Sequence, residues 1–171
     1  EYIRRDGTRL PVELRTILLR NEDDTPTGLW AIVRDISERK QKEAVLRETA
    51  HELERVFNMS LDLLCIANTD GYFLRINPAW QETLGYSLQD LEGRRFLDFV
   101  HPDDLPATLN AIETLADGKD ILNFTNRYQC KDGSYRWIEW LSKPYQGGLI
   151  YAAARDITER KQSEQALWDS R

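Results

Sequence analysis

Positive charge is in short supply in this 171-residue sequence. Lys and Arg number 23 against 29 Asp and Glu, giving a formal charge of −6 and a pI near 5.0. A nucleic-acid footprint needs a basic face, so that class of partner is excluded. Long apolar runs are missing too. None approaches the ~20 residues of a membrane span, and no basic-apolar signal segment opens the chain. The segment is therefore expected to be cytoplasmic. Cysteine is down to Cys65 and Cys130, each in an apolar stretch without a CxxC partner. Both read as small buried hydrophobes in a reducing compartment. Two histidines cannot support a His-rich metal site, and no Gly-rich phosphate loop or Ser-His-Asp set is present. Asp103 and Asp104 are adjacent carboxylates, but neighbours on one turn do not converge on a substrate. The segment is expected to be non-catalytic. The sequons at Asn58 and Asn123 carry no weight without a sign of secretion.

What is present is a repeat. RDISERKQKEAVL (34–46) returns as RDITERKQSEQAL (155–167). Upstream, RRDGTR (4–9) and CKDGSYR (130–136) each place an Asp-Gly turn between polar-apolar alternations, and both central residues of such a turn can reach positive φ. LPVELRTILLR and WIEWLSKPY then read as strands. The turns NEDDTPTG (21–28) and QGG (146–148) follow, and LWAIVRDI and LIYAAARDI supply the final strands. Each copy thus ends strand, hairpin, strand, hairpin, strand, helix. The first copy has about three strands and nothing before them. With no opening methionine, EYIRRDG reads as mid-domain, so the segment is expected to be part of a longer protein. Its uncovered apolar strands should pack on a neighbour, such as another chain.

Ser37 and Thr158 are N-cap types followed by Glu in the first turn. From Glu38 the composition favours helix. Leu46, Ala50, Leu53 and Phe57, spaced four, three, four, form an a/d seam. Two heptads are short for an autonomous coiled coil. Pairing in a dimer and packing on the helix's own domain both stay open.

Residues 58–129 supply what the first copy lacks. LDLLCIAN (61–68) and YFLRIN (72–77) read as strands around the Asp70-Gly71 turn. Pro78 suits a first helical turn, with Gly85 as the stop. SLQDL (87–91) is a short helical turn. HPDDLPATLNAIETLADG (101–118) is a helix with Leu105, Leu109, Ile112 and Leu115 on one face, and FTNRYQC (124–130) leads into the last hairpins. The element order gives an α+β domain: one antiparallel sheet with helices on one face.

DLLCIANTDGYFLRINPAWQETLGYS, LEGRRFLDFVHPDD, YQCKDGSYRWIEW and RDITERK, in this order and spacing, resemble a PAS domain of a bacterial multi-domain signal-transduction protein such as a sensor histidine kinase. The resemblance implies a five-stranded sheet cupping a small cavity, with flanking linker helices. It divides the chain into a truncated first PAS domain (1–36), a linker helix (37–57), a complete PAS domain (58–157) and the start of an output linker helix (158–171). RDITERK resembles the DIT latch that joins a PAS core to its output helix. Asp35, Ser37, Asp156 and Thr158 are the latch residues this implies, with Arg136 and Arg127 as candidate partners for Asp156. A cavity would be lined by Trp80, Phe96, Leu109, Phe124 and Trp137.

No cofactor is expected, although the resemblance leaves flavin, haem or a small metabolite open. Light-driven adduct chemistry needs a reactive cysteine, and GRRFLDF (93–99) has none. Trp80, Trp137 and Trp140 could stack on a ring, but aromatics more often form plain core. Haem needs an axial ligand; His101 reads instead as part of a helix start, with Asp103 and Asp104 at the positive end of the dipole. AHELERVF (50–57) is similar to the phosphoacceptor box of histidine kinases. The usual Arg-Thr-Pro does not follow, so His51 reads as a solvent-facing helix position.

The resemblance implies a sensory, relay and dimerisation module. It would pass a change from the sheet through the latch to the final helix, as a homodimer joined through the linker helices. Adjacent PAS and output domains would lie in the parent chain, and a histidine kinase or a diguanylate cyclase is the kind of output the resemblance implies. A small-ligand sensor and a passive dimerisation scaffold are the alternatives.

Overall fold

The Asp-Gly pairs set three turns of one design. In a computed structural model describing residues 1–170, Gly7, Gly71 and Gly133 take φ of 83°, 94° and 86°, while the Asp before each stays negative. Each glycine N–H closes onto the carbonyl three residues back, of Arg4, Asn68 and Cys130 respectively. The expectation of positive φ at both central residues is corrected here. Asp6 and Asp132 hold their turns with the carboxylate, which accepts from the amide and hydroxyl of Thr8 and of Ser134.

The chain forms two units, Glu1–Leu53 and Glu54 onward. In the first, β1 (Tyr2–Ile3) pairs with β2 (Arg9–Leu10), and β3 (Val12–Arg20) pairs antiparallel with β4 (Pro26–Asp35). Four strands replace the three expected, because Pro11 has no N–H to continue a ladder and separates β2 from β3. Helix α1 (Ser37–Met59) begins in this unit.

The second unit carries a five-stranded antiparallel sheet. Its strands are β5 (Leu63–Asn68), β6 (Phe73–Ile76), β7 (Ile121–Gln129), β8 (Tyr135–Tyr145) and β9 (Leu149–Asp156), in the order β6-β5-β9-β8-β7. Between β6 and β7 lie α2 (Ala79–Leu84), α3 (Leu88–Leu91), two 3₁₀ turns and α4 (Leu105–Ala116). The chain ends in α5 (Thr158–Asp169). Gly85 stops α2 at φ 80°, and Ser87 and Asp90 form a reciprocal capping box on α3.

Alternation along β5, β8 and β9 sends Leu63, Cys65, Ala67, Ile138, Trp140, Ile150, Ala152 and Ala154 to one buried face. The helices cover that face with Trp80, Leu84, Leu91, Phe96 and Leu115. One expected contact fails. Leu109 is 47% exposed, and Thr108, at 4%, takes the inward position on α4. Thr108 can occupy it because its hydroxyl donates to Asp104 O one turn back and accepts from Asn126.

The hairpin of the first unit repeats the register of the second. Val12, Leu14, Thr16 and Leu18 face Asp35, Val33, Ala31 and Leu29. Ile138, Trp140, Ser142 and Pro144 face Asp156, Ala154, Ala152 and Ile150 in the same sequence. The residues matching the covered face of β8 and β9 are themselves open: Leu14, Leu18, Leu29 and Val33 are 45–67% exposed.

Candidate functional site

Between the sheet and α4 lies a cavity of about 50 Å³. Its wall includes Phe96, Ile112 and Leu115 from the helical side, with Cys65, Phe73, Ile121, Phe124, Tyr128, Trp140 and Ser142 from the sheet. Of the five lining residues expected, Phe96 and Phe124 are in the wall. Leu109 faces outward. Trp80 is fully buried beside the cavity, packing on Phe73, Tyr128 and Trp140 with its indole N–H on Leu64 O. Trp137 sits on the opposite sheet face from its neighbours Ile138 and Trp140, under the Arg127 guanidinium and the Lys161 ammonium.

Polar groups in the wall fall into two kinds. Thr108, Asn126 and Trp140 form a closed chain: the Trp140 indole donates to Asn126 Oδ1 at 2.7 Å, and Asn126 Nδ2 donates to Thr108 Oγ1 at 3.1 Å. Tyr128 and Ser142, 1% and 5% exposed, add two further hydroxyl-bearing side chains to the wall. Burial pushes the Tyr128 hydroxyl pKa upward and the Cys65 thiol up to about 12, so both stay protonated at neutral pH.

The second feature is the join between β9 and α5. Asp156 Oδ1 accepts the amide of Thr158 at 2.9 Å and its hydroxyl at 2.5 Å. Thr158 Oγ1 in turn accepts the Trp137 amide at 2.9 Å, and the Ile157 amide donates to Trp137 O at 2.8 Å. Of the two arginines considered for Asp156, Arg136 is its partner, at 3.4 Å. Arg127 instead pairs with Asp104 at 2.7 Å. The cap assignment also shifts by one residue. Thr158 is the first helical residue, Ile157 is the N-cap, and the aspartate before it supplies the capping oxygen.

The first copy repeats half of this join. Asp35 Oδ1 accepts the Ser37 amide at 2.8 Å and Ile36 N donates to Pro11 O at 3.1 Å. Hydrogen bonds from Ser37 hold the Asp35 carboxyl below its ordinary range. Pro11 stands where Trp137 stands in the second copy, and it has no amide proton to offer Ser37.

At the incoming end, Asn77 is fully buried. Its Nδ2 donates to the carbonyls of Phe57, Ser60 and Asp62, and its Oδ1 accepts the Leu64 amide. Arg75 lies over the Phe57 ring and pairs with Glu54. Sequence reasoning passed over Asn77; the signal was an amide residue in an otherwise apolar strand end, immediately before Pro78. On α1, Leu46 and Leu53 are 70% and 65% exposed, Ala50 is exposed, and Phe57 is half-buried. His51 is exposed on the same helix. His101 lies outside the cavity wall, its Nδ1 accepting the Asp103 amide and its ring against Tyr135.

Residues 73–151 match the family model for the PAS fold, and residues 1–38 match a second model for the PAS domain. The chain belongs to the PAS family. The solved PAS domain of an HTR-like protein from Haloarcula marismortui superposes with a TM-score of 0.59 at 26% identity, over 69% of this chain and 99% of that one. Among curated relatives, the probable diguanylate cyclase DgcE of Escherichia coli (strain K12) is 31% identical over 60% of this chain and 10% of its own length. Sporulation kinase E of Bacillus subtilis (strain 168) is 27% identical over 80% of this chain and 18% of its own. The chain spans less than a fifth of either relative.

This is a PAS sensory domain of the kind found in signalling proteins, a module that is generally non-catalytic. No described helix is long and apolar enough to cross a membrane. Among the described residues no cluster of His, Cys, Asp and Glu could hold a metal ion. The residues around the PAS cavity do not fit haem or flavin. Pockets for cofactors of that size run to ~300–1,000 Å³. The wall holds no histidine or methionine, and the buried Cys65 is its one sulfur.

Proposed function

We propose that this chain is a relay and dimerisation module of a larger signal-transduction protein, passing a change in the PAS core through the Asp156–Thr158 latch into α5. One observation carries the reading. A single residue separates β9 from α5, and the join is fastened to β8 by the Trp137 amide and carbonyl and by Arg136. A shift of β8 against β9 then has to move the first turn of α5, which is the kind of two-position element that regulation uses.

The open seam of Leu46, Ala50, Leu53 and Phe57 on α1 supports pairing with a second copy. In this reading residues 1–36 are the last part of a preceding PAS domain, 37–57 a linker helix, 58–157 the complete domain and 158–171 the start of the output helix. The kinase and cyclase relatives support a parent with one of those outputs. Replacing Asp156 by Ala in the parent protein is expected to change its output while the core stays folded. Unchanged output with normal expression overturns the relay.

A second reading has its own observation. Tyr128 and Ser142 bring hydroxyl-bearing side chains to the wall of an otherwise largely apolar cavity. A neutral, hydrogen-bonding molecule of a few heavy atoms would suit them, making the core a sensor of small polar metabolites.

A further inference from the structure

The outer face of the sheet, opposite the cavity, carries four charges of alternating sign in a line. Asp62 lies in the turn that delivers the chain from α1 to β5. Arg155 on β9 grips it with two bonds, Nε to Oδ1 at 3.0 Å and Nη2 to Oδ2 at 3.1 Å. Directly opposite Arg155 across the β8–β9 ladder stands Glu139; the bonds to Asp62 raise the arginine's pKa most, and the charge of Glu139 adds to them. Glu139 Oε1 then accepts from Arg160 Nη2 at 2.9 Å, and Arg160 is in the first turn of α5. Asn77 anchors the near end of the line by holding the Asp62 carbonyl at 2.9 Å together with those of Phe57 and Ser60.

We propose that Asp62, Arg155, Glu139 and Arg160 form an ion row that couples the incoming turn of the PAS core to its outgoing helix across the outer face of the sheet. The row gives the module a second route from end to end, separate from the cavity and from the Asp156 latch. Each exposed pair by itself contributes little, but a network with one bidentate arginine is the arrangement in which surface charges do couple. The middle pair matters most. Removing Glu139 leaves Arg155 bound to Asp62 and Arg160 with only Glu164 of its own helix, so that nothing links the two ends. As a path for signals the row rests on the relay reading above. As a mechanical coupling it stands or falls on the isolated chain.

The test is amide hydrogen exchange on the intact 171-residue chain carrying Asp62→Asn, Glu139→Gln or both. The Asp62→Asn change keeps the backbone carbonyl that Asn77 holds and removes only the charge. It is expected to speed exchange in the first turn of α5, two strands away, by about two- to fivefold. In the Glu139→Gln background the same change should add nothing there. The row is overturned if Asp62→Asn acts only on residues 60–64, if it speeds exchange uniformly, or if its effect on α5 survives the Glu139→Gln change. The latch experiment reads output of the parent protein with Asp156 altered, so the two ideas fail independently.

Discussion

The amide of Trp137 donates to the hydroxyl of Thr158 across 2.9 Å, and that hydroxyl donates onward to Asp156. One oxygen thereby connects strand, latch and helix, and it is nearly buried: Thr158 is 8% exposed. Replacing Thr158 by Val keeps the shape and leaves the Trp137 amide without a partner. The expected loss is about 1–3 kcal/mol of unfolding free energy, read by urea denaturation. Thr158→Ser should retain most of it. If Val and Ser behave alike, the hydroxyl does not hold the join.

Asn77 gathers the incoming turn. Its replacement by Ala orphans three carbonyls and an amide at a fully buried position. The expected cost is about 3 kcal/mol or more, large for a single substitution. Thermal or chemical melting of the chain measures it, and a change within ~0.5 kcal/mol, the level of an ordinary surface substitution, would remove Asn77 from the framework.

Acid should act through Asp104. Its carboxylate accepts from the Arg127 side chain and amide, and these bonds hold its pKa below the ordinary 3.8. A depressed carboxyl stabilises the fold fully above the unfolded value. That contribution fades as pH falls from about 4 through the folded pKa. Unfolding free energy of the wild type is therefore expected to drop in that window more steeply than that of Asp104→Asn. Parallel curves for the two proteins would refute the assignment.

The seam on α1 should be visible in mass. Leu46→Asp and Leu53→Asp alter exposed positions, so folding should be untouched, while a dimer held by the seam should shift to monomer. Sedimentation velocity against concentration gives the answer. A wild type that is monomeric at every concentration removes pairing through α1.

For the cavity, Ala152→Leu places a larger side chain in the wall. Native mass spectrometry of the wild type is expected to show a small co-purified molecule that the variant lacks. If neither protein carries one, small-molecule sensing loses its support.

Much of this fold is legible in the sequence because its signals are local. Asp-Gly turns, two-residue alternation and the repeated RDI-S/T-ER exits mark the strands and their ends. The α+β order follows from those alone. What escaped has a different origin. Leu109 belongs to the apolar spacing of α4 but loses the inward position to Thr108, whose hydroxyl finds partners only after β7 is in place. Trp137 reads as core by type, yet the pleat sends it outward to the cations of Arg127 and Lys161. Asn77, Asp62 and Arg155 act over separations in sequence that no short motif records.

A proline at position 11 makes the two copies mechanically unlike. Where the Trp137 amide donates to Thr158 Oγ1, Pro11 has no N–H to donate, and α1 leaves its strand with the aspartate, its Arg4 pair and a single backbone bond. A duplicated junction has thus become one with this amide fastening to the preceding strand and one without it. Exchanging them, with Trp at 11 or Pro at 137, would move the weaker fastening from the start of α1 to the start of α5.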